Sequence, residues 1–162
     1  MDQEFLRKVS LFNQLDDREL NIFSEKLTSV NFREGDKIIT DHQESDNLYI
    51  LYSGSVIISK KMSMIENQEE LDKTFTVLNA EAHPFFGEIG LLGFRKRTAN
   101  VTADSDCLLY TINQEDFMKI SREYPRIGFK VLLEISRKLS EILEKTNEDV
   151  LKLTTALIYA LK

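Results

Sequence analysis

Apolar residues keep one spacing at each end of the chain and another in the middle, which divides it into a helical start, a stranded centre and a helical finish. Phe5, Leu6, Val9, Leu11 and Phe12 form a short apolar segment that reads as helical at first. Asp16, with Glu19 three residues on, offers a capping box. Leu20, Phe23 and Leu27 then share one helical face, which predicts a second helix to about Leu27. From Val30 to Met62 the period drops to two. Glu34-Gly35-Asp36 reads as a turn, and Leu48–Leu51 and Ser55–Ile58 read as strands around Ser53-Gly54. Ser63–Lys73 is polar and predicts a hairpin loop. Strand character resumes at Thr74–Leu78, stops at Pro84, and returns at Asn100–Ala103 and Cys107–Ile112, enough to close an antiparallel β-barrel.

Gln114–Ser121 reads as a short helix, and Pro125 is suited to the first turn of a long one because its missing N–H has no acceptor there anyway. Leu132, Ile135, Leu139, Ile142, Thr146, Val150, Leu153 and Leu157 recur every three or four residues, a heptad-like seam. Two successive steps of four around Thr146 should straighten any supercoil locally. At ~1.5 Å per residue this helix reaches some 50 Å, more than its own barrel can cover. A second copy of the same helix is the simplest partner for its last turns, so a homodimer is expected. The expected organisation is a sensing body over residues 1–122 and a long C-terminal helix over 123–162.

The chain of 162 residues has room for one ordinary domain and a tail, and 42% hydrophobic with 30% charged residues is ordinary for a globular protein. A net charge of −6, with Arg95-Lys96-Arg97 the one basic cluster, argues against direct nucleic-acid binding. No apolar run approaches the ~18 residues of a membrane span, and the first residues lack the pattern of a signal peptide, so a cytoplasmic protein is expected. Cys107 stands alone in an apolar strand and reads as a small buried hydrophobe. His42 and His83 read as loop residues, too few for a histidine-rich metal centre.

The chemistry concentrates in Phe86-Gly87-Glu88-Ile89-Gly90-Leu91-Leu92 and Arg97-Thr98-Ala99-Asn100-Val101. Two glycines allow close backbone approach to a ligand, and the apolar run after them can make one turn of helix with free N–H groups for an anion. Arg97 brings a planar fork of donors suited to phosphate. Glu88 beside a bound anion would repel it, so its use must be to accept from a neutral hydroxyl. A single negative phosphate with a free hydroxyl nearby describes a cyclic nucleotide and its ribose 2′-OH.

The spacing resembles the phosphate-binding cassette of the cyclic nucleotide-binding domain family, Phe-Gly-Glu-Leu/Ile-Ala/Gly-Leu-Leu/Ile, a few variable residues, then Arg-Thr/Ser/Ala-Ala. Gly87, Glu88, Ile89, Gly90, Arg97, Thr98 and Ala99 match position by position, with Phe86 ahead of them. The resemblance implies that Glu88 binds the ribose, Arg97 the cyclic phosphate, and N–H groups of the short helix complete the cradle. The whole layout is similar to the sensor half of the bacterial catabolite-activator family, which implies a jelly roll, or double-stranded β-helix. His42 stands at a corner where many members have glycine.

In those activators a helix-turn-helix follows the long helix; here the chain ends at Lys162, so a stand-alone sensor or a fragment of a larger regulator is expected. Counting from Arg97 without gaps, the positions at which they offer Thr and Ser to adenine hold Ile142 and Leu143. The resemblance to kinase regulatory subunits and channels implies that these two cap the base by apolar packing. Thr98 is compatible with cAMP or cGMP. The expected function is a cyclic nucleotide sensor whose long helix signals occupancy to an unknown downstream protein. Its cassette is expected to be loose without phosphate, because Arg97 would then be buried without a partner. Two alternatives remain: a ligand-free dimeric interaction module of the same fold, and an enzyme such as a phosphodiesterase, for which no metal cluster or nucleophile-and-base pair is visible.

Overall fold

The computed structural model describes residues 2–62, 71–93 and 96–161. Helix α1 (Gln3–Lys8) begins where the Asp2 carboxylate accepts from the Phe5 N–H at 3.0 Å. A 3-10 turn at Ser10–Phe12 leads to α2 (Asp17–Ser24), whose capping box is complete. The Glu19 N–H donates to Asp16 at 2.9 Å, and the Asp16 N–H donates back to Glu19 at 3.0 Å. The helix ends at Ser24, short of Leu27. Lys26 and Leu27 donate to carbonyls three residues back, which tightens the last turn and delivers a buried Leu27 to the first strand.

Eight strands follow: β1 (Thr28–Phe32), β2 (Lys37–Ile39), β3 (Leu48–Ser53), β4 (Ser55–Met62), β5 (Leu71–Asn79), β6 (Phe85–Phe86), β7 (Asn100–Ala103) and β8 (Cys107–Ile112). They form two antiparallel sheets, β1-β8-β3-β6 and β2-β7-β4-β5. The closed barrel expected from the strand pattern is therefore a sandwich, since no ladder joins the sheets among the described residues. The reason lies in the turns. β1 to β2, β3 to β4 and β7 to β8 each pass from one sheet to the other instead of forming a hairpin. At the β3–β4 corner Gly54 has φ +89°, and a Cβ there would meet the Asp106 carbonyl. The corners are tied together: the Glu34 N–H donates to Asp106 at 3.0 Å and the Ser55 hydroxyl to Asp104 at 3.0 Å. Of the predicted loop Ser63–Lys73, residues Leu71–Lys73 belong to β5 and pair with Lys60–Met62; the remainder lies outside the described residues.

Alternation along the strands sorts two cores. Tyr49, Leu51, Phe86, Cys107 and Leu109 of the first sheet meet Ile39, Val56, Val101 and Ala103 of the second. Leu48, Ile50, Phe85, Tyr110 and Ile112 point the other way, under the helices. Four residues of β3 are buried in succession because both faces of its sheet are covered. Cys107 is a buried member of the first group, with Sγ 3.1 Å from the carbonyls of Ser55 and Ser105.

Helix α4 (Gln114–Glu123) starts on Asn113, which accepts from the Asp116 N–H at 2.8 Å, and α5 (Pro125–Ala160) follows with proline in its first turn. Ile127, Val131 and Ile135 of α5 complete the core under the first sheet, with Leu139 partly buried at its edge. From Glu141 onward every described residue of α5 is exposed, so of the predicted seam only Ile135 and, in part, Leu139 are packed, while Leu132 and the members from Ile142 on are exposed. Leu109, fully buried between the sheets, is the most direct probe of this packing. Leu109→Ala should lower the unfolding free energy by ~2–5 kcal/mol, read from the shift of a urea denaturation curve.

Candidate functional site

The segment Phe86–Ala99 leaves the end of β6, makes α3 (Glu88–Leu91) and returns to β7. Gly87 turns the chain into α3 with φ +84°, and a Cβ on it would lie 2.8 Å from the Asn47 carbonyl oxygen. A Cβ on Gly90 would lie 2.5 Å from Arg97 Nη1 and 2.8 Å from the Ser45 carbonyl oxygen. Sequence reasoning gave these glycines to close approach of a ligand. What approaches them in the structure is the guanidinium of Arg97, which packs against their backbone.

Arg97 is 5% exposed. Nη1 donates to the Gly87 carbonyl at 3.1 Å, and Nη2 to Ser45 Oγ at 2.8 Å and the Asn47 carbonyl at 2.7 Å. Its Nε is buried without a hydrogen-bond partner. Burial pushes the guanidinium below its ordinary value, while Tyr49, Asp46 and Glu88 oppose that shift. The side chain is thus held by neutral acceptors from the 41–47 loop and the cassette backbone. Neutral oxygens satisfy Nη1 and Nη2, Nε has no partner, and among the described residues no carboxylate is hydrogen-bonded to the guanidinium.

Glu88, at the start of α3, is also buried. Its Oε2 accepts from Lys138 Nζ of α5 at 3.2 Å. The same ammonium donates to the Phe85 carbonyl and lies 4.1 Å from the centroid of the Phe85 ring. Burial pushes the lysine below its ordinary value, and the Glu88 carboxylate opposes the shift.

These side chains surround a cavity of about 470 Å³, within the usual ~300–1,000 Å³ of a small-molecule site. Ile58, Leu78 and Val101 of the second sheet supply an apolar wall, and Lys138, Glu141 and Ile142 close it from α5. Of the residues singled out from the sequence, Phe86, Gly87, Glu88, Ile89, Arg97, Thr98, Ala99 and Ile142 line it. Gly90 lies behind Arg97 instead, and Leu143 is 60% exposed outside the lining. One residue on from Ile142 is about 100° around the helix, which turns Leu143 to solvent.

Sequence reasoning missed Lys138, His83 and the pair Ser45 and Asn47. Lys138 was within reach, since it stands four residues before Ile142 on the same helical face. His83, read as an ordinary loop residue, lines the cavity from a left-handed position, φ +50°. Nothing in the polar run His42–Asn47 marked two of its members as acceptors for Arg97. Among the described residues no group of three or more His, Cys, Asp or Glu side chains could hold a metal ion, and no helix is long and apolar enough to cross a membrane.

Two antiparallel sheets, flanking helices and a ligand-sized hollow beside a buried arginine define a β-sandwich binding module. Residues 29–124 match the cyclic nucleotide-binding domain family, and the chain belongs to it. The cAMP-dependent protein kinase regulatory subunit of Dictyostelium discoideum is 34% identical over 105 residues, 62% of this chain and 30% of that protein. The chain spans less than a third of the length of the curated relatives it matches. Among solved structures, the N-terminal domain of a transcriptional regulator from Streptomyces coelicolor A3(2) superposes with a TM-score of 0.73 at 21% identity, over 88% of this chain and 94% of that one. The regulatory domain of Toxoplasma gondii PKA, in complex with cAMP, gives a TM-score of 0.69 at 24% identity, over 86% and 48%. At these identities the structural matches speak for the fold alone.

The crowding around Gly90 is testable without any ligand. Gly90→Ala should push a methyl group into the Arg97 guanidinium and the Ser45 carbonyl, lowering stability by ~1–3 kcal/mol in thermal denaturation.

Proposed function

We propose that this protein is a cyclic nucleotide sensor, in which residues 1–122 form the binding body and the helix over 123–162 is the output. The observation that carries the reading is Arg97, buried at the wall of the cavity with an unpartnered Nε and, among the described residues, no carboxylate hydrogen-bonded to it. A singly charged cyclic phosphate supplies the missing negative charge, and Glu88 accepts from the ribose hydroxyl. Gly87, Ile89, Thr98 and Ala99 shape the phosphate end, and Phe86 and Ile142 contribute apolar surface. The ligand is cAMP or cGMP; the cAMP-dependent kinase relatives favour cAMP. The family is regulatory, and a binding role without catalysis accounts for the site.

Occupancy is read out through α5, whose Glu141 and Ile142 stand at the cavity mouth. Beyond them Val150, Leu153 and Leu157 are each more than half exposed, and a second copy of the helix is the partner that suits their seam. The assembly is a homodimer in the cytoplasm that acts on a downstream protein, with no direct contact to nucleic acid or membrane. Leu143, outside the cavity, belongs to this exposed face in the ligand-free form and joins Ile142 over the base only if α5 moves.

Titration with cAMP and cGMP tests the site. Ligand at a hundred times Kd should add about 2.7 kcal/mol of stability, seen as a raised melting temperature. Arg97→Ala should weaken binding by a hundredfold or more in calorimetry, in line with ~2–5 kcal/mol for removing one partner of a buried charge pair. No stabilisation by either nucleotide would leave a ligand-free dimeric module of the same fold. For the assembly, light scattering should give twice the chain mass for the intact protein and a single chain mass for one ending near Thr146. Equal aggregation numbers for the two would remove α5 as the dimer seam.

A further inference from the structure

We propose that Lys138 makes a free hydroxyl on the sugar a requirement for tight binding, by neutralising Glu88 and fixing its carboxylate so that one oxygen is left for the ligand. This rests on the cyclic nucleotide reading above and adds to it a positioning residue on α5.

A carboxylate beside an anion site needs an explanation, because unscreened it would oppose the phosphate it is meant to accompany. Lys138 supplies one. Its ammonium is held at three points, by the Phe85 carbonyl, the face of the Phe85 ring at 4.1 Å and Glu88 Oε2 at 3.2 Å. All three come from β6 and the start of α3. Among the described residues Lys138 is the only side chain that hydrogen-bonds the Glu88 carboxylate, and it engages Oε2 alone, which leaves Oε1 to accept from a neutral donor.

The charges around the cavity agree. Among the described residues, Lys96, Arg97 and Lys138 line the cavity against Glu88 and Glu141, a surplus of one positive charge that a single phosphodiester would balance. Without Lys138 the surplus vanishes and a buried carboxylate faces the phosphate unscreened. Glu88 is then no longer held by an ammonium and can turn away, which weakens its grip on the hydroxyl. Lys138 and Ile142 are four residues apart and both line the cavity, so the helix turn that faces the base also sets the sugar contact.

The test compares cAMP with 2′-deoxy-cAMP by calorimetry on the whole chain, using the ratio of their affinities so that general weakening cancels. The wild type should prefer cAMP by about tenfold to a hundredfold, the range for one hydrogen bond to a charged acceptor. Lys138→Met keeps the aliphatic stem and should reduce the ratio to about threefold or less, whereas Lys138→Arg should keep most of it. Lys138→Gln serves if the methionine variant does not fold, as judged by circular dichroism. A wild-type ratio retained in the methionine or glutamine variant overturns the proposal while the sensor reading stands, as does a wild type that binds both nucleotides equally. No binding of either nucleotide, or of cGMP, to the wild type overturns both.

Discussion

A guanidinium that is almost wholly out of water must be held by something, since taking an ion from water into a protein interior costs several kcal/mol. In this protein three neutral oxygens hold Arg97: the Gly87 and Asn47 carbonyls and the Ser45 hydroxyl. They come from two segments far apart in sequence, so the 41–47 loop and the cassette have to meet at the arginine. That meeting requires glycine at 87 and 90, where side chains would occupy the space of the guanidinium or its acceptors. Nη1 and Nη2 are thereby satisfied, but Nε and the charge are not. Neutral acceptors leave a site that still favours an anion, unlike an arginine already neutralised by a carboxylate.

The cavity owes its shape to the two-sheet arrangement. Corner turns that switch sheets let Ile58 and Val101 face inward from the second sheet while Phe85 and Phe86 end the first, one facing the helices and the other the space between the sheets. Phe85 therefore ties two systems together. Its ring lies in the helical core and its carbonyl receives Lys138, so the cassette and the long helix share an anchor.

Helix α5 has two different tasks along its length. Its near half is core, with Ile127, Val131 and Ile135 buried and Glu134 held by Gln14 at 2.7 Å and Arg137 at 2.5 Å. Lys130 reaches Glu19 in α2 at 2.5 Å, which fastens the same half to the N-terminal helices. In the far half Lys152 pairs within the helix, with Glu148 at 3.8 Å and Asp149 at 3.6 Å. Thr146, the polar member of the seam, donates its hydroxyl to the Ile142 carbonyl at 2.7 Å and so needs no partner outside its own helix. The helix is thus anchored in the core at one end and passes the cavity through Lys138, Glu141 and Ile142.

Local chemistry was legible from the residues alone. The capping box at Asp16 and Glu19, proline at the head of α5, the strand alternation, the turn at Gly35 and the cassette with its buried Glu88 and Arg97 depend on near neighbours in sequence or on a spacing that only a few residue types satisfy. The family match and eight of the ten candidate residues at one cavity follow from that. What sequence could not supply was set by contacts between distant segments. Period two is the same for a closed barrel and for two sheets, and only the corners decide between them. Ser45 and Asn47 become acceptors because a loop some 50 residues from Arg97 folds over it. Lys138 shares a helical face with Ile142, but only the fold brings it to Glu88, and Leu143 leaves the site because α5 is docked at one rotation and not another. Periodicity states which residues share a face; only packing in three dimensions determines what that face meets.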